Sequence, residues 1–379
     1  MSDAFTFKEK AVFAEDNRER IRGIITSDFK PEDLARIPPS FIVIDLTWKC
    51  NYKCIGCVDE GAINRKDSAK LSLDLIEDIF DYSKEHGVRG IMTMGGEVFT
   101  YRAGIKKALE KSIQHNIPLK TVTNGSLLGN YLDDVIEAYK IPGSVLRISI
   151  NAGRADYAEQ VGVNYSLDKI FSNIKYISSK GVPVFVSTVV FPQESRQDGF
   201  LPNIDGLYEI VEGCEESGVS THLLLPARSP TTKKRYDYSD HEKGIIRGIS
   251  MKPLRMMLVS GDITREEYNS VQNMAYSPCP SGFIFTLVGS DGNLYKCTDN
   301  RGRDSAIIGK IKKRGDFDRV WHSEERVKRQ LAYSCENQGC TRYNENAILN
   351  AAMRLHREYG PDITKYLVQD RESHDSIFV

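Results

Sequence analysis

The sequence has almost no net charge and no long apolar run. Its 51 lysine and arginine residues balance 52 aspartate and glutamate residues, leaving a formal charge of −1. No global basic field therefore argues for a nucleic acid or an anionic membrane as partner. No stretch approaches the roughly 18 apolar residues of a membrane-spanning helix, and the N-terminal residues lack the apolar run of a signal peptide. We therefore expect a cytoplasmic protein without a nucleic-acid or membrane partner.

The length and the composition are those of a globular protein. The chain has 379 residues, of which 40% are apolar, and 29 are glycines. This length allows one large domain of about 200 to 250 residues with an appendage, or two to three ordinary domains. A chain of this size can bury a sizeable core.

Six short apolar segments, each flanked by a helical pattern, follow one another with regular spacing. The predicted strands are 41–47, 88–94, 119–122, 145–151, 182–190 and 219–225. Three apolar stripes at helical period support the intervening helices, from Leu75 to Phe80, from Leu167 to Ile177 and from Ile204 to Cys214. Six repeats of strand and helix imply parallel pairing with right-handed crossovers. The sequence therefore predicts an α/β fold.

The segments outside these six units are assigned from composition. Residues 1–40 are predicted to be a helical lead-in, and 231–275 a polar linker followed by a helical segment, with a helix around 243–274. Residues 346–379 are predicted to form one amphipathic helix and a polar tail.

The eight cysteines fall mostly into two groups. They are Cys50, Cys54, Cys57, Cys214, Cys279, Cys297, Cys335 and Cys340. Because a reducing cytosol disfavours disulfides, metal or cluster ligation is the better interpretation for the seven grouped cysteines. Cys214 lies on the third helical stripe, so we expect a buried core thiol there. The alternative for Cys214 is a hydrogen-atom donor.

Cys50, Cys54 and Cys57 follow the first predicted strand with the spacing C-x3-C-x2-C. Three ligands fall short of the four that a closed structural zinc site requires. A [4Fe–4S] cluster held by three cysteines keeps one iron open, and that iron can bind a substrate or cofactor as well as pass an electron.

This motif in this position resembles the radical S-adenosylmethionine (SAM) superfamily, whose members carry it after the first strand of a (β/α)6 partial TIM barrel. The resemblance implies such a radical SAM core over residues 41–230. It also implies reductive cleavage of SAM to methionine and a 5′-deoxyadenosyl radical, which removes a hydrogen atom from a substrate carbon. An external one-electron reductant of the flavodoxin or ferredoxin type is then a further partner.

Further motifs match the family at the ends of the next strands. By resemblance, Gly95, Gly96 and Glu97 bind the SAM amino group, because glycines let the backbone approach closely and a carboxylate pairs with the ammonium. The other SAM contacts implied by the resemblance are Thr123 and Asn124 after the third strand and Ser149 and Asn151 at the fourth. Barrel enzymes carry their sites at these strand ends. Gly56 departs from the pattern, since the family usually has an aromatic residue there, near the adenine.

Cys279 and Cys297 bracket a predicted hairpin that turns at 290–292, and Cys335 and Cys340 complete a set of four thiols. Four thiolates suffice for structural zinc or for a fully ligated cluster. This arrangement after a radical SAM core resembles the SPASM and twitch auxiliary domains, and four cysteines match the twitch form. The resemblance implies a small α+β domain over 276–345 with an auxiliary [4Fe–4S] cluster that assists electron transfer.

Polar residues on the predicted strands are candidates for contact with the substrate. Those expected to face the barrel are Asp45, Thr47, Arg147, Ser187 and His222, and we take Asp45 and His222 as catalytic candidates. Period-two alternation shows which residues share a face, but not which face is inside.

The substrate predicted from the resemblance is small and polar, like a sugar or an aminocyclitol, and the reaction is an oxidation or a rearrangement. The alternative is a maturase that forms a crosslink or a thioether, or inverts a stereocentre, in a ribosomally made peptide. A non-enzymatic iron–sulfur electron carrier is more distant, because it has no use for the SAM motifs at 95–97 and 123–125.

Overall fold

The computed structural model describes residues 18–57, 69–227, 229, 236–250, 256–258, 279–333, 346, 349, 353, 356–358 and 360. Ten strands lie in these ranges. They are β1 (Phe41–Thr47), β2 (Gly90–Gly95), β3 (Leu119–Thr123), β4 (Val145–Ser149), β5 (Val184–Val190), β6 (Thr221–Pro226), β7 (Met256–Leu258), β8 (Phe285–Val288), β9 (Asn293–Tyr295) and β10 (Ile307–Lys310). All six predicted strands are present, with ends shifted by two residues or fewer.

Helices connect the strands. They are α1 (Arg18–Thr26), α2 (Pro31–Leu34), α3 (Leu73–Glu85), α4 (Arg102–His115), α5 (Leu132–Ala138), α6 (Tyr157–Val161), α7 (Leu167–Ser179), α8 (Leu207–Glu216), α9 (Asp240–Ser250), α10 (Asp316–Trp321) and α11 (Glu324–Ala332). Short 3-10 helices lie at Val98–Thr100, Leu128–Asn130, Gln193–Asp198, Pro280–Phe283, Thr298–Asn300 and Asp304–Ala306. The three predicted helical stripes fall on α3, α7 and α8. None of the described helices is long and apolar enough to cross a membrane.

All ten strands form one sheet in the order β10-β9-β8-β1-β2-β3-β4-β5-β6-β7. Strands β1 to β7 pair in parallel, which confirms the predicted α/β fold and its mostly parallel sheet. The predicted hairpin is present as the antiparallel pair β8 and β9. Strand β8 also pairs in parallel with β1, so the hairpin extends the same sheet beside the strand that leads to the first cysteines.

The register gives this sheet two distinct faces. Ile44, Ile148 and Val186 lie on the face that packs against the helices, and they share the main core with Ile76 and Ile79 of α3. We call this the helix-packed face. The opposite face, called here the inner face, carries the alternating residues of each strand. It is where a partial barrel holds its ligands.

The predicted helix around 243–274 is wrong in its extent. Helix α9 ends at Ser250, and Met256–Leu258 form the strand β7 beside β6. The periodicity of a short apolar run cannot distinguish a strand from a buried helical turn. Residues 256–258 form a strand because they pair with the free edge of β6.

Candidate active site

The three cysteines of the first group lie together in the loop that leaves β1. Cys50, Cys54 and Cys57 are each half-buried. Burial, together with the neighbouring Cys57 and Cys50, raises the pKa of Cys54 to about 12. Bound iron supplies the positive charge that lets crowded thiols ionise. The donor set therefore fits the three-cysteine side of a [4Fe–4S] cluster.

The main chain around α6 fixes the course of this loop. The amides of Lys53 and Ile55 donate to the carbonyls of Val161 and Gln160, both at 2.9 Å. The side-chain amide of Gln160 donates to the carbonyl of Ile55 at 2.8 Å. These bonds set the backbone between Cys50 and Cys57 independently of any bound group.

Gly56 occupies a position at which a side chain has no room. Its φ is +75°, and an added Cβ would lie 3.0 Å from the Phe191 ring and 3.1 Å from the Phe200 ring. These two rings contact each other with centroids 5.2 Å apart. Two aromatic rings from another part of the chain therefore lie against the position where the family usually has an aromatic residue. The sequence analysis missed both, because they lie far away along the chain.

The two glycines after β2 allow two segments of backbone to touch. The amide of Gly96 donates to the Thr47 carbonyl at 2.8 Å, and that of Glu97 to the Lys49 carbonyl at 2.9 Å. A Cβ on Gly96 would lie 2.5 Å from the Lys49 oxygen. The close approach seen here is thus between the end of β2 and the start of the cysteine loop. Contact of Gly95 and Gly96 with SAM stays a prediction.

Glu97 is fully buried, and three donors satisfy its carboxylate. The Thr123 hydroxyl donates to Oε1 at 2.8 Å, the Asn124 amide to Oε2 at 2.7 Å, and the Phe99 amide to Oε1 at 3.1 Å. Burial raises the pKa of Glu97. The carboxylate therefore ties the end of β2 to the end of β3, and its pairing with the SAM ammonium stays a prediction.

Asn124 extends this network to the cysteine loop. Its side-chain amide donates to Asn51 Oδ1 at 3.0 Å, while Asn51 Nδ2 donates to the Ser126 hydroxyl at 2.9 Å. The Ser126 hydroxyl in turn donates to Asn124 Oδ1 at 2.6 Å. Asn51, Asn124 and Ser126 thus form a closed ring of hydrogen bonds that joins the loops after β1 and β3.

The end of β4 carries two predicted SAM contacts. Ser149 lies on the inner face with its hydroxyl 3.5 Å from that of Ser187. Asn151 Oδ1 accepts from the Val189 amide at 2.9 Å, and Asn203 donates to the Asn151 carbonyl at 2.7 Å. The Asn151 oxygen is therefore engaged in holding β5, whereas Ser149 has the freer hydroxyl.

Asp45 lies on the inner face of β1 and is paired with a buried arginine. Arg301 Nη1 lies 2.6 Å from Asp45 Oδ1, with the two side chains 4% and 0% exposed. Trp48 Nε1 donates to Oδ2 at 3.3 Å. A carboxylate neutralised in this way is a poor proton acceptor. Arg301 follows Cys297 closely, so it joins the second cysteine group to the barrel, and no sequence signal had pointed to it.

Arg147, on the inner face of β4, has a buried Nε without a hydrogen-bond partner in the described part of the chain. Burial lowers its pKa to about 10, so the guanidinium stays cationic at neutral pH. A buried N–H group without a partner costs free energy. The site therefore offers a charged donor to an anionic group.

His222 does not face the barrel, which corrects our expectation. It pairs in register with Val186 on the helix-packed face and is fully buried. Its Nε2 lies 2.8 Å from the Thr188 hydroxyl, and burial lowers its pKa to about 4. His222 is thus a neutral core residue with one polar partner, so we withdraw it as a catalytic candidate.

The second cysteine group is partly described. Cys279 and Cys297 are close enough that Cys279 contributes to the raised pKa of Cys297, about 12, of which burial is the main cause. Asn300 Nδ2 donates to Cys297 Sγ at 3.1 Å, and Asn346 Nδ2 to Cys279 Sγ at 3.3 Å. Cys335 and Cys340 lie outside the described residues. Cys214 of α8 is buried in the main core.

The parallel sheet and the three-cysteine loop define the class of protein. Residues 44–199 match the model of the Radical SAM superfamily. Residues 44–199 therefore form a radical SAM domain, which confirms the predicted family for this part of the chain.

Among known proteins, the chain is similar to two GTP 3′,8-cyclases. It is 25% identical over 189 residues to the probable enzyme of Methanopyrus kandleri, covering 49% of this chain and 56% of that one. It is 30% identical over 158 residues to the enzyme of Alkaliphilus metalliredigens, covering 40% and 47%. The chain thus spans about half the length of these relatives.

Among solved structures, SuiB of Streptococcus suis bound to S-adenosylmethionine is similar in fold. The TM-score is 0.55 at 17% identity, over 78% of this chain and 68% of SuiB. SuiB is also described bound to its precursor peptide SuiA. At this identity the likeness shows the fold alone.

Proposed function

We propose that this chain binds a [4Fe–4S] cluster through Cys50, Cys54 and Cys57 and cleaves SAM reductively. The observation that carries the proposal is the group of three half-buried thiols beside the strand ends at 95–97 and 123–125. When bound, cluster and SAM supply a 5′-deoxyadenosyl radical that removes a hydrogen atom from a substrate carbon.

The chain's own residues would hold SAM in place. Glu97, Asn124 and Asn51 keep three loops in register through hydrogen bonds, so the strand-end backbone is preorganised. Phe200, which is only partly buried and packs against the buried Phe191, offers an aromatic surface beside the third cysteine on which an adenine can stack. The Ser149 hydroxyl is available for a polar group of the cofactor.

The substrate that fits best is a small polar molecule with an anionic group. Arg147 supports this, since its Nε has no hydrogen-bond partner among the described residues and the side chain lies on the inner face one row below Ser149. Two relatives are named for a reaction of GTP, which also carries anionic groups. A ribosomally made peptide is the alternative, in line with the peptide described for SuiB.

A second cluster would use Cys279, Cys297, Cys335 and Cys340. The first two are close together, and both sulfur atoms accept hydrogen bonds from asparagine side chains. The buried pair of Arg301 and Asp45 links this region to the inner face. We propose that this cluster relays an electron during turnover, while an external flavodoxin or ferredoxin reduces the first one.

The proposal is tested on anaerobically reconstituted protein. We expect about eight irons per chain and, after reduction with dithionite, one electron paramagnetic resonance signal that shifts on adding SAM. The same sample should form 5′-deoxyadenosine. A protein with intact clusters that neither shifts its signal nor forms this product would refute SAM cleavage.

The substrate class is tested by the stimulation of 5′-deoxyadenosine formation. Separate assays contain GTP and sugar phosphates, neutral sugars with aminocyclitols, or short peptides. We expect stimulation by the anionic small molecules, and we expect Arg147→Gln to lose it while retaining slow uncoupled cleavage of SAM. Stimulation by peptides alone, unaffected by Arg147→Gln, would support the peptide alternative.

A further inference from the structure

Away from the barrel, two histidines and an aspartate converge at the junction of three segments. His86 follows the end of α3, Asp318 lies in the first turn of α10, and His322 follows the end of α10. Each imidazole Nε2 lies 3.7 Å from the same Asp318 Oδ1, and the three atoms lie within 4.8 Å of one another. Donor atoms about 2.0–2.1 Å from a tetrahedral zinc lie about 3.3–3.4 Å apart, so small shifts would complete a coordination shell.

The hydrogen bonds that each ring makes through Nδ1 direct its other nitrogen, Nε2, to this point. His86 Nδ1 lies 3.1 Å from the Tyr82 carbonyl, and His322 Nδ1 lies 2.6 Å from the Ala35 carbonyl. A carbonyl only accepts, so each Nδ1 carries the proton and each neutral ring presents a lone pair at Nε2. Zinc-binding histidines are held in this way, with the second ring nitrogen bonded to a carbonyl or a carboxylate.

Both acidic and basic side chains lie near the two histidines and Asp318. A groove of about 550 Å³ beside the histidines is lined by Glu32 and Glu324 as well as Arg36. Arg20 binds the carbonyls of His86 and Gly87 at 2.8 and 2.7 Å. The carboxylates offset these two cations, and the exposed side leaves room for a water as the fourth ligand.

We propose that His86, His322 and Asp318 form a surface site for a divalent transition metal, zinc foremost. Imidazole and carboxylate ligands suit this class of ion. The site would fasten the segment before β1, which provides the Ala35 carbonyl, to the end of α3 and to α10. It is separate from both cysteine groups, and it does not depend on the proposed reaction.

Tyr82 gives the proposal a specific signature. Its hydroxyl lies 2.9 Å from His322 Nε2. Because His322 Nδ1 carries the proton, the hydroxyl donates to the Nε2 lone pair that a metal would use. The phenol therefore competes with the ion. Tyr82→Phe removes this competitor while keeping the ring that stacks on His86 at a centroid distance of 4.1 Å.

The test is zinc binding to cluster-loaded full-length protein, by equilibrium dialysis with elemental analysis. We expect one zinc beyond the iron content, at least ten-fold weaker binding in Asp318→Asn and in His86→Gln, and tighter binding in Tyr82→Phe. Because Asp318 is exposed, its amide variant should fold normally. His241→Gln, which changes an exposed histidine of α9, is the matched control and should bind zinc like the wild type.

X-ray absorption at the zinc edge distinguishes this site from stray binding to cysteines. Nitrogen and oxygen ligands at about 2.0–2.1 Å are expected, whereas thiolates lie at about 2.3 Å. Sulfur ligation, absence of bound zinc, or equal affinity of the wild type and Asp318→Asn would overturn the proposal.

Discussion

The two cysteine loops differ in what surrounds their sulfur atoms. In the first loop the cysteines are half-buried, and the sulfur of Cys50 accepts from the backbone amide of Tyr52 at 3.4 Å. The asparagines nearby bond to each other and to neighbouring loops instead of to sulfur. In the second loop, Asn300 and Asn346 direct their side-chain amides at the sulfurs of Cys297 and Cys279. Hydrogen bonds to sulfur tune a cluster's potential, whereas an open ligand position requires space. This difference in the asparagine contacts is in line with the proposed cofactor-binding cluster at the first cysteine group and the proposed electron relay at the second.

The largest effect should come from the first loop. Cys50→Ala, Cys54→Ala or Cys57→Ala should each abolish 5′-deoxyadenosine formation, because two thiolates cannot hold a cluster with one open iron. The product is measured by liquid chromatography after incubation with SAM and dithionite. Cys214→Ala, which alters a buried thiol of the core, is the control and should retain activity. Formation of 5′-deoxyadenosine by any of the three first-loop variants would contradict the assignment of these cysteines as cluster ligands.

Replacing the cysteines of the second group should have a milder effect on SAM cleavage. Cys279→Ser with Cys297→Ser should remove about four irons per chain while the first cluster still shifts its resonance signal with SAM. Slow uncoupled cleavage should continue, and stimulation by substrate should disappear. If cleavage of SAM without substrate also stops, the two loops are not separate in function.

Matched asparagine variants sharpen the comparison. Asn51→Ala should weaken SAM binding by about ten-fold, because opening its hydrogen-bond ring costs about 1 kcal/mol or more. Asn300→Ala should leave SAM binding unchanged and lower the potential of the second cluster, because it removes a donor to Cys297 Sγ. Calorimetry with SAM and a redox titration measure the two effects. If both variants changed SAM binding and the cluster potential to the same extent, the proposed difference in role between the two cysteine groups would be contradicted.

The smallest effect concerns His222, which belongs to neither loop. Its folded pKa of about 4 lies below the unfolded value of 6.5, so the unfolded chain binds more protons between these pH values. Stability should therefore fall by about 1 kcal/mol between pH 7.5 and pH 5.5. Urea unfolding of the wild type and of His222→Gln at both pH values measures the difference. A loss of SAM cleavage in this variant would restore His222 as a catalytic candidate.

The sequence predicted the elements of the barrel well, because six buried runs and three apolar stripes carry clear periodicity. The predicted segment 41–47 agrees with β1 at both ends. The strand at Met256–Leu258 was missed, since only its partner strand distinguishes it from a helix.

Side-chain placement was less predictable. Alternation grouped Asp45 with Arg147 correctly, but it could not reveal that His222 belongs to the opposite face. The packing of Phe191 and Phe200 against Gly56, and the pairing of Asp45 with Arg301, are contacts between distant parts of the chain. Nothing in local spacing encodes them.

The pairing of β8 with β1 has a consequence for synthesis on the ribosome. Phe41 is made early, whereas its partner Phe285 follows some 240 residues later, which at about 5–20 residues per second is a delay of about 12–50 s. During this interval one edge of β1 lacks its final neighbour, and an open apolar strand edge invites association with other chains. The nascent protein should therefore depend on chaperones until the hairpin emerges.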